Sequence, residues 1–236
     1  MRATLKKWGI VFWEWLITGV AFGLGVLLVA ALFLGICASF ADAAQAQTVT
    51  IPRAAYQHRD TLIRASRAVW GLDAPVSIFA AQIHTESWWK NSTVSSAGAQ
   101  GLAQFMPSTA KWLPTVAPEV GAPAPFNPGW ALRALVSYDK WLWDRLNGAD
   151  ACQRMAFTLS AYNGGIGWVG RDRKEAERQG RDPARWFGQV EKVNAGRSAP
   201  SLRENRRYVR LILLERQYWY RKAGWGPGVG CGGGHD

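Results

Sequence analysis

The chain has 236 residues, room for one globular domain and a short appendage, and 48% of them are apolar, enough to supply a core. Lysine and arginine outnumber the acids 28 to 17. The net charge of +11 favours an anionic partner or simply keeps the surface soluble. No zinc-finger spacing and no RNA-binding aromatic signature is present, so nucleic acid is set aside as a partner, and Cys37, Cys152 and Cys231 form no metal pattern.

In chain order, the first feature is an uncharged run between Glu14 and Asp42. As a helix, residues 15–41 would span about 40 Å at ~1.5 Å per residue, more than the ~30 Å of a bilayer core. Arg2, Lys6 and Lys7 precede the run, which keeps the N-terminus cytoplasmic and sends the remainder outward. The run exceeds the apolar region of an ordinary signal peptide, so a signal anchor through the inner membrane is preferred over a cleaved signal. The expected division is 1–47 as anchor or signal peptide, 48–225 as the globular domain and 226–236 as a loose glycine-rich tail.

Beyond residue 51 the pattern is helical. Leu62, Ser66 and Val69 share a face that Gly71 closes, and Pro75 opens a helix over 76–88. Asn127 and Pro128 read as cap and first turn of a helix whose apolar face runs Leu132, Leu135, Val136, Leu142, Leu146. Further helices are expected over 152–163 and 204–222, with 171–185 a solvated loop or helix face. No sustained alternation of period two is present, so the fold class is mainly α. Fourteen tryptophans belong chiefly to packing, though their excess also suits a groove that stacks sugars.

The chemistry centres on Glu86. It ends an apolar helix and precedes a loop of small residues, where burial raises a carboxyl pKa and lets it hold a proton near neutrality. Taken alone, a glutamate at a helix end is more often a surface charge. The surrounding residues change the reading. Glu86-Ser87-Trp88-Trp89, Ser95, and the block from Gly98 through Gln104, Met106 and Pro107 to Ala110 resemble the signature of soluble lytic transglycosylases of the goose-lysozyme-like superfamily. Ala161-Tyr162-Asn163-Gly164-Gly165-Ile166-Gly167 resembles the family's second block. Its third is matched by Glu204 through Tyr208 and Val209.

The resemblance covers about 51–225 and implies a lysozyme-like helical domain without cofactor or metal, acting as a monomer on peptidoglycan glycan strands. It implies non-hydrolytic cleavage of the bond between N-acetylmuramic acid and N-acetylglucosamine, leaving a 1,6-anhydro end, with Glu86 the single acid and base. By the same resemblance Ser95, Gln104, Met106, Tyr162, Asn163 and Tyr208 line the substrate, Tyr162 can orient Glu86, and Gly98 and Gly101 form the turn under the glycan. Glu204 is expected to cap or pair at the start of its helix. Ala103 stands where the family usually has Met, and Ala131 where it often has Asn. No acid follows Glu86 until Glu119, which suits a one-carboxylate mechanism. A hydrolytic muramidase and a non-catalytic wall-binding module are the alternatives. The implied setting is the periplasm, in wall remodelling, secretion or phage lysis.

Overall fold

The computed structural model of the protein describes residues 50–231. The apolar run 15–41 and Cys37 lie outside them. No helix among the described residues is long and apolar enough to cross a membrane.

The chain begins with a single turn, α1 (Arg53–Tyr56), and then α2 (Arg59–Trp70), which buries Leu62 and Ser66 and ends at Gly71 with φ of 82°. Next comes α3 (Val76–Ser87), buried on almost every side: ten of its residues, from Val76 to His84 and Ser87, are lost to solvent. A helix with apolar residues all round must sit inside the molecule. Each large side chain it buries, such as Ile78, Phe79 or Ile83, contributes about 1.5–3 kcal/mol.

A long loop over 88–106 leaves α3. Two isolated antiparallel bridges, Val94 to Gln100 and Gln100 to Phe105, hold it, and no strand forms among the described residues. Gly101 sits there with φ of 75° against the Pro125 carbonyl, where a Cβ would collide with backbone. This glycine serves the packing of two loops.

The loop returns into α4 (Pro107–Trp112), followed by short 3₁₀ turns, and then α5 (Pro128–Arg145). Asn127 Oδ1 accepts the Trp130 amide at 3.0 Å, the expected cap. Asp150 caps α6 (Ala151–Gly164) by accepting the Gln153 amide at 2.9 Å. Of the two readings for 171–185, a solvated loop or a helix face, the helix holds as far as 178: α7 (Ile166–Arg178) starts before the segment and buries Val169, Asp172 and Ala176.

The final helical stretch starts earlier than its third motif suggests. Ser198 caps α8 (Ala199–Arg210), whose chain continues through a π-helical turn over Leu211–Arg216 into α9 (Gln217–Lys222). Glu204 therefore lies inside α8, not at its start. Around the central α3 pack α2, α9 and the π-helical turn, while α5 bridges α2 to α6, and α6 carries α7 and α8.

The tail expected to be loose is tied down as far as residue 231. Pro227 O accepts the Ser77 amide, Gly226 O accepts Ser77 Oγ, and Gln217 exchanges hydrogen bonds with both sides of Val229. Cys231 is disulfide-bonded to Cys152, with their Cα atoms 5.1 Å apart.

Candidate active site

The C-terminal end of α3 carries Glu86 to the wall of a cavity of about 910 Å³. Trp88 and Trp89 follow with φ of 54° and 64°, a left-handed conformation that non-glycine residues seldom take. Trp89 is fixed there by burial and by donating Nε1 to the Tyr220 hydroxyl at 2.7 Å. The sharp exit stops α3 where Glu86 meets open space.

All seven residues singled out in the sequence border this cavity: Glu86, Ser95, Gln104, Met106, Tyr162, Asn163 and Tyr208. They come from α3, the 88–106 loop, α6 and α8, and only the tertiary fold joins them. Their hydrogen bonds differ from the expected division of labour. Tyr208, from α8, donates its hydroxyl to Glu86 Oε1 at 2.5 Å. Tyr162 does not orient the acid; it donates to the Ala103 carbonyl at 2.7 Å and fixes the loop to α6. That carbonyl belongs to a fully buried position, as does the backbone of Ala131, so both departures from the family pattern fall in the core.

Gln104 stands at φ of 50° and spends its Nε2 on the Thr93 and Gly101 carbonyls at 3.1 and 2.8 Å. Ser95 Oγ accepts the Ala99 amide at 3.0 Å, which leaves its own hydrogen for another partner. Met106 keeps 40% of its surface exposed at the cavity edge. Asn163 is held by Asn205, which donates Nδ2 to its Oδ1 at 2.9 Å.

Glu86 is half-buried, its Oε2 without a hydrogen bond among the described residues, and burial pushes its pKa up to about 8. The Tyr208 hydrogen bond works against this shift and the Glu204 charge adds to it. The hydroxyls of Tyr162 and Tyr208 stay protonated, because burial and the Glu86 charge raise both well above the ordinary tyrosine value. Two residues earlier, His84 is buried and its pKa is lowered to about 4 by desolvation and by Arg216, so it is neutral. The site is thus a carboxylic acid that keeps its proton at neutral pH, held at one oxygen by a tyrosine and open at the other.

Sequence reasoning missed several wall residues. Glu204, Arg203 and Arg207 of α8 border the cavity, with Tyr138 of α5 and Thr109 of α4. A second carboxylate therefore reaches the cavity from far along the chain. Asp139 is fully buried; burial raises its pKa well above the usual range and the Glu86 charge adds to this, while Gln82 donates to it at 3.4 Å. An acid at 139, on the helical face of Leu132, Leu135 and Leu142, was the available signal. Among the described residues no tryptophan borders the cavity; its rings are Phe105, Tyr138, Tyr162 and Tyr208. Trp89, Trp186 and Trp225 are core residues.

Comparison with known proteins decides the family. The family model described as Transglycosylase SLT domain matches residues 65–184, about half of the chain. The chain belongs to the transglycosylase SLT domain family. SLT relatives include the membrane-bound lytic murein transglycosylase F of Shewanella pealeana, 29% identical over 148 residues, covering 62% of this chain and 26% of the relative. The protein of that name from Maricaulis maris is 33% identical over 110 residues, 46% of this chain and 23% of the relative. This SLT chain spans about a quarter of the length of these relatives.

In fold, the SLT domain is similar to the 70 kDa soluble lytic transglycosylase of Escherichia coli, with a TM-score of 0.51 and 22% identity over 71% of this chain and 24% of that one. The complex of the 70 kDa soluble lytic transglycosylase with bulgecin A gives a TM-score of 0.54, again at 22% identity, over 76% and 26%. The mainly helical, lysozyme-like class expected from the sequence is the one observed.

Proposed function

We propose that the protein is a peptidoglycan lytic transglycosylase with Glu86 as its acid and base. One observation carries this reading: a carboxyl with a pKa of about 8 at the wall of a cavity, held by Tyr208 at one oxygen. Near neutral pH such a group donates its proton to the glycosidic oxygen as the bond to C1 breaks. The carboxylate so formed takes the proton of the muramoyl C6 hydroxyl while O6 bonds to C1. No water enters, and Glu86 regains its starting state. The neutral tyrosine that donates to Oε1 keeps the carboxyl from rotating between the two steps.

On this reading Ser95, Gln104, Asn163 and Met106 contact the glycan, a role supported by their all bordering the cavity. The names of the SLT relatives support a murein substrate. "Membrane-bound" in those names supports the anchor over residues 15–41 as well. We accordingly assign 1–47 to an anchor or signal peptide, 48–225 to the catalytic domain and 226–236 to the tail, in a monomer working on the periplasmic side. Wall remodelling and phage lysis both suit such an arrangement.

A hydrolytic muramidase is the second reading, because Glu204 borders the same cavity and could serve as the second carboxylate that inverting and retaining glycosidases need. Mass spectrometry of a digest of peptidoglycan separates the two. Anhydromuropeptides are expected; products one water heavier would establish the hydrolase, and no release would leave a binding module. Glu86→Gln is expected to lower cleavage about a thousandfold with the fold intact. Near-normal rates from that variant would overturn the assignment.

A further inference from the structure

Helix α8 carries four arginines, and they divide into two pairs. Arg206 is consumed by the fold: it donates to Asp172 at 3.0 Å and to the Val193 and Glu191 carbonyls at 2.9 and 3.1 Å. Arg210 pairs with Glu191 at 3.0 Å. Arg203 and Arg207, one turn apart and therefore side by side, are exposed and have neither an ion pair nor a side-chain hydrogen bond among the described residues.

These two unspent guanidinium groups stand at a junction. Both border the cavity of Glu86, and both also border a second recess of about 480 Å³. Leu211 is the third residue common to the two spaces, and Leu202, Arg206, Arg210 and Glu215 line the rest of the recess. The cleft thus continues across α8 into a recess of two leucines, one carboxylate and four arginines, of which Arg203 and Arg207 alone lack a partner among the described residues. A planar guanidinium fork suits a carboxylate, which it can bind through two parallel hydrogen bonds.

In peptidoglycan the sugar hydroxyls and N-acetyl groups are neutral, and the lactyl carboxyl is tied up in an amide. The anionic groups next to the scissile bond are the carboxylates of the peptide stem. We propose that Arg203 and Arg207 form a subsite for stem carboxylates, so that the protein selects glycan bearing acidic stems. The proposal rests on the peptidoglycan reading above.

The test uses two muropeptide tetrasaccharides with the same stem, one with free carboxylates and one with those groups converted to carboxamides. Binding is measured by calorimetry to Glu86→Gln protein, which avoids turnover. The free-acid ligand should bind about tenfold more tightly, as expected for one or two charge-assisted contacts at a partly exposed site. Adding Arg203→Ala and Arg207→Ala should bring the ratio of the two affinities close to one. Both side chains are exposed, and a Gln pair that keeps their polarity provides a second variant should the alanines disturb folding. Equal affinity for the two ligands at the outset, or a ratio untouched by either pair, overturns the subsite. Digestion by the unsubstituted protein is scored separately. Absent cleavage with the ratio intact sinks the transglycosylase reading alone, whereas cleavage without a ratio sinks the subsite alone.

Discussion

A single carboxyl group sets the pH behaviour expected of this protein. Glu86 holds its proton up to about pH 8, so cleavage should decline above that value, by about tenfold per pH unit once the acid is ionised. Tyr208→Phe removes the one hydrogen bond that lowers the pKa of Glu86, so the alkaline limb of a pH–rate profile should move upward. The rate below it should drop between about tenfold and a hundredfold, because the carboxyl loses its anchor. Stability follows with a definite sign. The folded value lies above the ordinary 4.5, so the fold binds more protons than the unfolded chain between pH 4.5 and 8, and stability is lost as pH rises through that window. Glu86→Gln removes this penalty. It should match the parent in thermal unfolding near pH 4 and exceed it by on the order of 1–2 kcal/mol near pH 9, discounted for the half-exposed setting. The acid itself was legible in the sequence, because its motif is local to one helix end. Its hydrogen-bond partner was assigned to the wrong tyrosine. Tyr162 and Tyr208 both lie far along the chain from Glu86, and only the packing of α8 on α6 brings Tyr208 to the acid.

At the scale of elements, helices with an uninterrupted apolar stripe were legible, as for α3 and α5. Helix α7 was not, because Asp172 occupies the middle of its buried face and charged residues surround it, which breaks the apolar period. That aspartate is repaid by two arginines, Arg197 at 3.3 Å and Arg206 at 3.0 Å, that no spacing rule anticipates. The π-helical turn before α9 carries no sequence sign either, since one extra residue per turn changes no residue type. Its effect is to place Arg216 beside Thr85, to which it donates at 2.9 Å, next to Glu86. The joint between α6 and α8 is testable. Asn205 is fully buried, accepts Ser160 Oγ at 2.8 Å and donates to the Ser160 carbonyl at 2.9 Å. Asn205→Ala should cost about 2–4 kcal/mol in denaturant unfolding by leaving buried partners unsatisfied, and should impair cleavage by releasing Asn163 and Tyr208 together. Unchanged stability would show that α8 is held by other contacts.

For the whole molecule, the cysteine bond ties the last described residue back to the middle of the chain. Cys152 opens α6 and Cys231 ends the described chain, a separation of 79 residues. Closing a loop of that length stabilises the fold by up to about 4 kcal/mol on chain-entropy grounds. Cys231→Ser, or treatment with reductant, should lower the melting temperature and leave the secondary-structure signal unchanged below the transition; equal melting with and without reductant would remove the bond from the account. The approach of the two cysteines depends on a glycine-rich segment whose path no sequence pattern encodes. Gln217 and Ser77, both buried, guide that segment back.

The bond also gives one polypeptide two stabilities, set by where it matures. Chains that finish folding among cellular thiols keep residues 224–231 attached by the buried Trp225 ring and by hydrogen bonds, while chains that finish in an oxidising space gain a covalent clasp. Thermal ruggedness then becomes a record of the compartment each molecule has passed through.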